Sequence, residues 1–168
     1  FIYSVGRCGS TLVSHLLNQA IGVVSLSEPD VYTQLVTRRT ADGSHDSELR
    51  ALVRSCTQVI CASIARSHGT WAWALKFRSF VIELGDLLYD NFPEAKVIFL
   101  YRHAEPWARS MARAFHVFDP EIEPLLSALQ PLFPRGIPAV AVHTVKDPAR
   151  LSPLALVTYL WVSVMERC

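Results

Sequence analysis

Residues 6–10 read Gly-Arg-Cys-Gly-Ser between an apolar run and an amphipathic segment, and no other stretch constrains the fold as tightly. Residues 1–5 (FIYSV) are strand-like, and from Thr11 the apolar residues Leu12, Val13, Leu16 and Leu17 recur at helical spacing. The order is strand, glycine-punctuated turn, helix. Glycines at such a junction let the backbone curl until successive N–H groups converge, and the helix N-terminus adds partial positive charge. An oxyanion, above all a phosphate, suits that concavity.

The Walker A pattern requires four residues between its glycines and then Gly-Lys with Ser or Thr. Here only two residues stand between Gly6 and Gly9, and no lysine follows. Arg7 stands inside the loop instead, where a fixed charge and a bidentate fork match phosphate or sulfate oxygens. Ser10 and Thr11 add hydroxyls where the helix begins.

The 168 residues are enough for one domain with a substantial core. With 51% hydrophobic residues and a net charge of +1, the composition argues neither for extensive disorder nor for nucleic-acid binding. Anion binding must therefore come from locally placed arginines. The four cysteines, Cys8, Cys56, Cys61 and Cys168, form no CxxC pair and no metal-ligand spacing. Their usage favours a reducing, cytoplasmic compartment, and the Cys8 thiol reads as a small loop filler. The longest apolar run, near residues 153–165, falls short of the roughly 20 residues of a membrane span. The chain starts on a strand and stops inside a helical pattern, so the expectation is a single domain over 1–168, cut from a longer protein. A targeting segment or membrane anchor outside it is compatible with this reading.

Further along, residues 23–26 form a short strand that ends at Ser27, Glu28 and Pro29. Pro29 bars Glu28 from helical geometry and opens the next helix. Residues 37–47 read as an exposed loop, with Arg38, Arg39, Arg50 and Arg54 as solvated charges. A long amphipathic helix follows and ends near residues 68–69. Residues 71–77 (WAWALKF) read as a strand buried on both faces until Lys76 and Arg78 emerge at its end. Lys76 then either reaches into the crevice as a ligand-binding residue or snorkels at the sheet edge. A helix is expected over 80–91. Residues 96–101 (KVIFLY) form the strongest strand signal and feed directly into Arg102. The helix that follows, entered through Glu105-Pro106, carries Ser110. Residues 119–133 and 151–168 read as helices flanking a proline-rich loop. Ligands in open parallel sheets collect at the strands' C-terminal ends, which puts Arg7, Glu28, Lys76 and Arg102 on one edge. The fold expected is three-layer α/β/α with a central parallel sheet, similar to P-loop NTPases.

GRCGSTLVSHLLN resembles the loop with which sulfotransferases hold the 5′-phosphosulfate end of 3′-phosphoadenosine 5′-phosphosulfate, whose usual form is GRSGST before an apolar helix. A second signature of that family is an apolar strand ending in Arg with Ser eight positions on, and Arg102 and Ser110 have that spacing. The family usually continues from the Arg with Asp-Pro, whereas this chain has His103-Ala104. Glu28-Pro29 is similar to a position where carbohydrate and protein-tyrosine sulfotransferases place a glutamate, and Trp161 resembles the tryptophan of a late family helix.

The resemblance implies a donor site built from Arg7, Cys8, Gly9, Ser10 and Thr11, with Arg102 and Ser110 on the 3′-phosphate. It implies Arg7 and Glu28 as the catalytic pair, Glu28 acting as general base beside the acceptor; Lys76, from its place at the end of its strand, is read as a candidate for binding donor or acceptor. That acceptor is a hydroxyl or amine on a carbohydrate, peptide, lipid or small metabolite. No metal is expected. Two other readings fit the layout: a small P-loop kinase using ATP, and a donor-binding domain without catalysis.

Overall fold

The computed structural model describes residues 1–65, 69–115, 130–132 and 153–168. Among them, β1 (Ile2–Ser4), β2 (Val23–Ser27), β3 (Ala72–Lys76) and β4 (Ile98–Leu100) form one all-parallel sheet in the order β2-β3-β1-β4. The helices are α1 (Ser10–Leu17), α2 (Asp30–Thr37), α3 (Asp46–Ala65), α4 (Gly85–Asn91), α5 (Ala104–Phe115) and α6 (Pro153–Glu166). Short 3-10 helices span Ser79–Leu84 and Gln130–Leu132. The expected helix over 80–91 is thus a 3-10 segment followed by α4. Of the helix expected at 119–133, residues 130–132 form the second 3-10 segment; the rest of it and most of the proline-rich loop lie outside the described residues.

The sheet separates two unlike layers because neighbouring strand residues point to opposite faces. Tyr3 faces an aromatic core in which Phe77 packs on Tyr3 and Tyr32 at ring-centroid distances of 5.0 and 4.8 Å. Leu35, Val36, Leu49, Val53, Leu84, Leu87 and Leu88 complete that core from α2, α3, the 3-10 segment and α4. Ser4 points the other way, and its hydroxyl donates to Ser10 Oγ of α1 at 3.2 Å. Helices therefore cover both faces, the three-layer α/β/α arrangement.

The face that α1 gives to the sheet is small and polar. Ser14 Oγ lies 2.6 Å from Ser25 Oγ, and Asn18 exchanges two hydrogen bonds with the Ser25 backbone. Leu12 and Leu16 are 63% and 61% exposed. The helical spacing marks a helix, but its leucine stripe is not the buried one.

Two further expectations are corrected. The strand at 71–77 is buried on both faces only toward its end, since Trp71 is 72% exposed whereas Lys76 is buried. Arg39 is not a solvated charge: it is buried, with Nη2 donating to Asp46 Oδ2 at 2.7 Å and to Asp86 Oδ2 at 2.6 Å. Burial works against its charge, yet the two carboxylates hold its pKa above the ordinary arginine value. Arg38 and Arg54 are exposed, and Arg50 pairs with Asp90 at the surface.

Candidate functional site

The chain leaves β1 for β2 on one side of the sheet and later reaches β4 on the other, so β1 sits at the switch point where parallel sheets open a crevice. Beyond the C-terminal ends of the strands lies a cleft of about 740 Å³. Arg7, Gly9, Ser10, Thr11, Glu28, Lys76, Arg102 and Ser110 all line it. These residues come from five separate parts of the sequence.

The turn after β1 is tightly bent. Gly6 and Gly9 have φ of +77° and +91°, and Arg7 between them has +53°. Gly9 caps α1, making Ser10 the first helical residue. A Cβ on Gly9 would project into open space, so its absence leaves room beside the helix N-terminus for a ligand's oxygens.

Two anchors hold the bend. Trp107 of α5 donates Nε1–H to the carbonyls of both Val5 and Gly6 at 2.9 Å, and Cys8 Sγ donates to the Leu100 carbonyl at 3.3 Å. The Cys8 thiol thus faces β4 and is absent from the cleft wall. Its filler role fits, and only its backbone remains for a ligand. Neither anchor is legible from motif spacing, although a buried tryptophan N–H always implies an acceptor.

Arg7 is exposed, and its Nε donates to Ser110 Oγ at 3.4 Å. Arg102 follows β4 and is exposed, and its carbonyl accepts Nε1–H of Trp161 at 2.8 Å. Trp161 therefore braces the backbone of Arg102 at the edge of the cleft. His103 beside it is also exposed and is absent from the cleft wall.

Glu28 is the second strained residue, with φ of +55°. Arg7 and Glu28 are the non-glycine residues with positive φ among those described. Such conformations cost about 1–3 kcal/mol each and cluster where function requires them. The Glu28 N–H donates to the Lys76 carbonyl at 2.7 Å, while the buried Lys76 ammonium bonds Glu28 Oε1. Arg78, whose place at the site the motifs did not mark, donates Nε–H to Glu28 Oε2 at 3.3 Å. The Lys76 hydrogen bond, opposed in part by burial and aided by Arg78, holds the Glu28 carboxyl below the ordinary carboxylate range. Glu28 is therefore ionised at neutral pH.

Among the described residues, Arg7, Lys76, Arg78 and Arg102 present four cations to the cleft against the single carboxylate Glu28. In a chain of net charge +1, that local excess favours a polyanion. Among the described residues no three His, Cys, Asp or Glu side chains are grouped to hold a metal ion, and no helix is long and apolar enough to cross a membrane.

A parallel sheet with a strained, cation-rich cleft at its C-terminal edge defines an α/β protein built to receive an anionic ligand. The chain belongs to the Sulfotransferase family, whose sequence model matches residues 1–130. Membership supports sulfuryl transfer, a transferase chemistry, in general terms. Neither a curated protein nor a solved structure shows a significant match to the chain.

Proposed function

We propose that the protein transfers a sulfuryl group from 3′-phosphoadenosine 5′-phosphosulfate to a hydroxyl or amine acceptor. The observation that carries this reading is that Arg7 and Glu28, the two strained non-glycine residues, open on one cleft together with Arg102 and Ser110. The turn at Gly6–Gly9 and the N-terminus of α1 offer N–H groups for the phosphosulfate end, and Arg102 with Ser110 offers a second anion site for the 3′-phosphate.

In the reaction, Glu28 takes the proton of the acceptor as the bond from its oxygen or nitrogen to sulfur forms. The bond between that sulfur and the bridging oxygen of the 5′-phosphate breaks, and its electron pair leaves with 3′-phosphoadenosine 5′-phosphate. Arg7 and the loop N–H groups stabilise the charge that grows on the leaving phosphate. Lys76, buried and paired with Oε1, balances the charge of Glu28 before proton transfer.

The testing experiment compares thermal stabilisation by 3′-phosphoadenosine 5′-phosphate with that by magnesium-ATP, followed by donor turnover on carbohydrate, peptide, lipid and small-metabolite acceptors. Stabilisation by the bisphosphate and turnover with one acceptor class is the expected result. Stabilisation by magnesium-ATP alone would favour the kinase, and binding without turnover on any acceptor would favour a donor-binding domain.

A further inference from the structure

The proposed reaction leaves the fourth cation of the cleft, Arg78, without a task. Its guanidinium is divided between two elements. Nη1 donates to Asp30 Oδ1 at 2.9 Å and to Thr33 Oγ1 at 2.7 Å, both on α2, whereas Nε donates to Glu28 Oε2 at 3.3 Å. Charge-assisted N–H···O bonds ordinarily close to about 2.7–2.9 Å. The two bonds to α2 are of that length and the bond to Glu28 is slack.

The carboxylate of Glu28 is consequently asymmetric. Oε1 is bound by the ammonium of Lys76, whose side chain is 5% exposed. Among the described residues Oε2 meets only the slack guanidinium, and the Glu28 side chain that carries it is 39% exposed. A carboxylate oxygen has two lone-pair sites, so Oε2 keeps one for an incoming proton. A tight pair at Oε2 would favour the charged carboxylate further and weaken it as a base, and no pair at all would leave the carboxylate free to rotate.

We propose that Arg78, restrained by Asp30 and Thr33, is a positioning residue that aims Oε2 of Glu28 into the cleft as the proton-accepting atom without tying up its lone pair. This inference rests on Glu28 being the base of the proposed reaction. Among the described residues, the charged groups paired around Glu28 are Lys76 from the end of β3, Arg78 from the connection after β3, and, across the guanidinium, Asp30 from the first turn of α2.

The two ends of the clamp respond in opposite directions. Removing the guanidinium in Arg78→Met takes a cation away from Oε2, so Glu28 titrates higher than in the wild type. Removing the neutral anchor in Thr33→Val leaves Nη1 held by Asp30 alone, lets Arg78 shift toward Oε2, and makes Glu28 titrate lower, while Thr33→Ser restores the wild-type value.

The test is a carbon-13 NMR titration of the full chain labelled at glutamate side-chain carboxyls, with the Glu28 signal assigned by its loss in Glu28→Gln. Opposite displacements in the two variants are expected, with Thr33→Val, which lies off the cleft wall, stabilised by 3′-phosphoadenosine 5′-phosphate as the wild type is. Both variants lower kcat about tenfold with little change in donor KM, as loss of positioning does. A Glu28 titration that moves in neither variant, or in the same direction in both, overturns the role of Arg78. A wild-type chain that the bisphosphate fails to stabilise overturns the functional reading instead, and the titration still decides whether Arg78 sets Glu28.

Discussion

Arg7 and Ser110 are 103 positions apart in the chain, and the Nε of Arg7 donates to the Oγ of Ser110 at 3.4 Å. The bond joins the turn after β1 to α5, so the two anion sites read separately in the sequence share a wall. A donor bridging them is held by groups that already touch. Arg7→Ala is expected to lower turnover on the order of a hundredfold, the cost of removing a positioned charge-stabilising donor. Ser110→Ala is expected to weaken binding of 3′-phosphoadenosine 5′-phosphate by about 1 kcal/mol. Because the residues are in contact, the double variant should lose less binding than the sum of the two single losses. Calorimetric titration of the four proteins checks this, and strictly additive losses would speak against a shared wall.

The Glu28 carboxyl is depressed below its ordinary value of 4.5, first by the Lys76 hydrogen bond. A group whose folded pKa is lowered stabilises the fold above its unfolded value, and that contribution disappears as pH falls through the folded value. Thermal melts of the wild type should therefore lose stability more steeply below pH 4.5, and Glu28→Gln should lack that component. In kinetics, the acidic limb of kcat/KM assigned to Glu28 should lie below pH 4.5. A limb near neutrality that survives in Glu28→Gln would move the role of base to another group. Since the substitution also strips the counter-charge from a buried ammonium, Glu28→Gln should melt lower than wild type at pH 7, and adding Lys76→Met should restore part of the loss.

Much of this cleft is legible in the sequence because its signals are local. Glycines at Gly6 and Gly9, proline after Glu28, and an arginine directly after the strongest apolar run each specify backbone geometry within a few residues. The four parallel strands follow from the same kind of signal. What is not legible depends on partners distant in sequence. Arg39 looks like its neighbour Arg38 until Asp46 and Asp86 close around it. The burial of Ser14 rather than Leu12 follows from Ser4 and Ser25 on the opposing sheet face, and periodicity alone reports only that a helix forms. Arg78 was visible beside Lys76, but nothing local tells that its reach ends on Thr33.

Trp107 is the strut of the turn after β1. Its ring is buried and its single N–H is shared between the Val5 and Gly6 carbonyls at 2.9 Å. Trp107→Phe keeps an aromatic ring in the core while removing the donor, leaving two carbonyls without it beside the strained Arg7. The expected cost is about 1–3 kcal/mol of stability, measured by urea denaturation. Weaker binding of 3′-phosphoadenosine 5′-phosphate should accompany it, because the loop amides lose their preorganised direction. Full stability with normal binding would mean that the turn is held elsewhere, for example by Cys8 on the Leu100 carbonyl.

Arg39 and Arg50 provide an internal comparison of the same residue type at different depths. The Arg39 side chain is 1% exposed and bonded to Asp46 and Asp86, so its removal strands two carboxylates that were oriented around it. Those carboxylates are 24% and 55% exposed, so water recovers part of the loss. Arg39→Met should therefore cost about 2–3 kcal/mol, toward the lower end for a broken buried pair. The Arg50–Asp90 pair is 48% exposed on both sides, and Arg50→Met should cost less than about 1 kcal/mol. The contrast should persist in salt: 1 M sodium chloride screens the surface pair and removes most of its contribution, while the Arg39 cost stays nearly constant. Denaturant titrations of both variants at low and high salt check the ordering. Equal costs for the two would mean that Arg39 does not anchor the junction of α3 with α4.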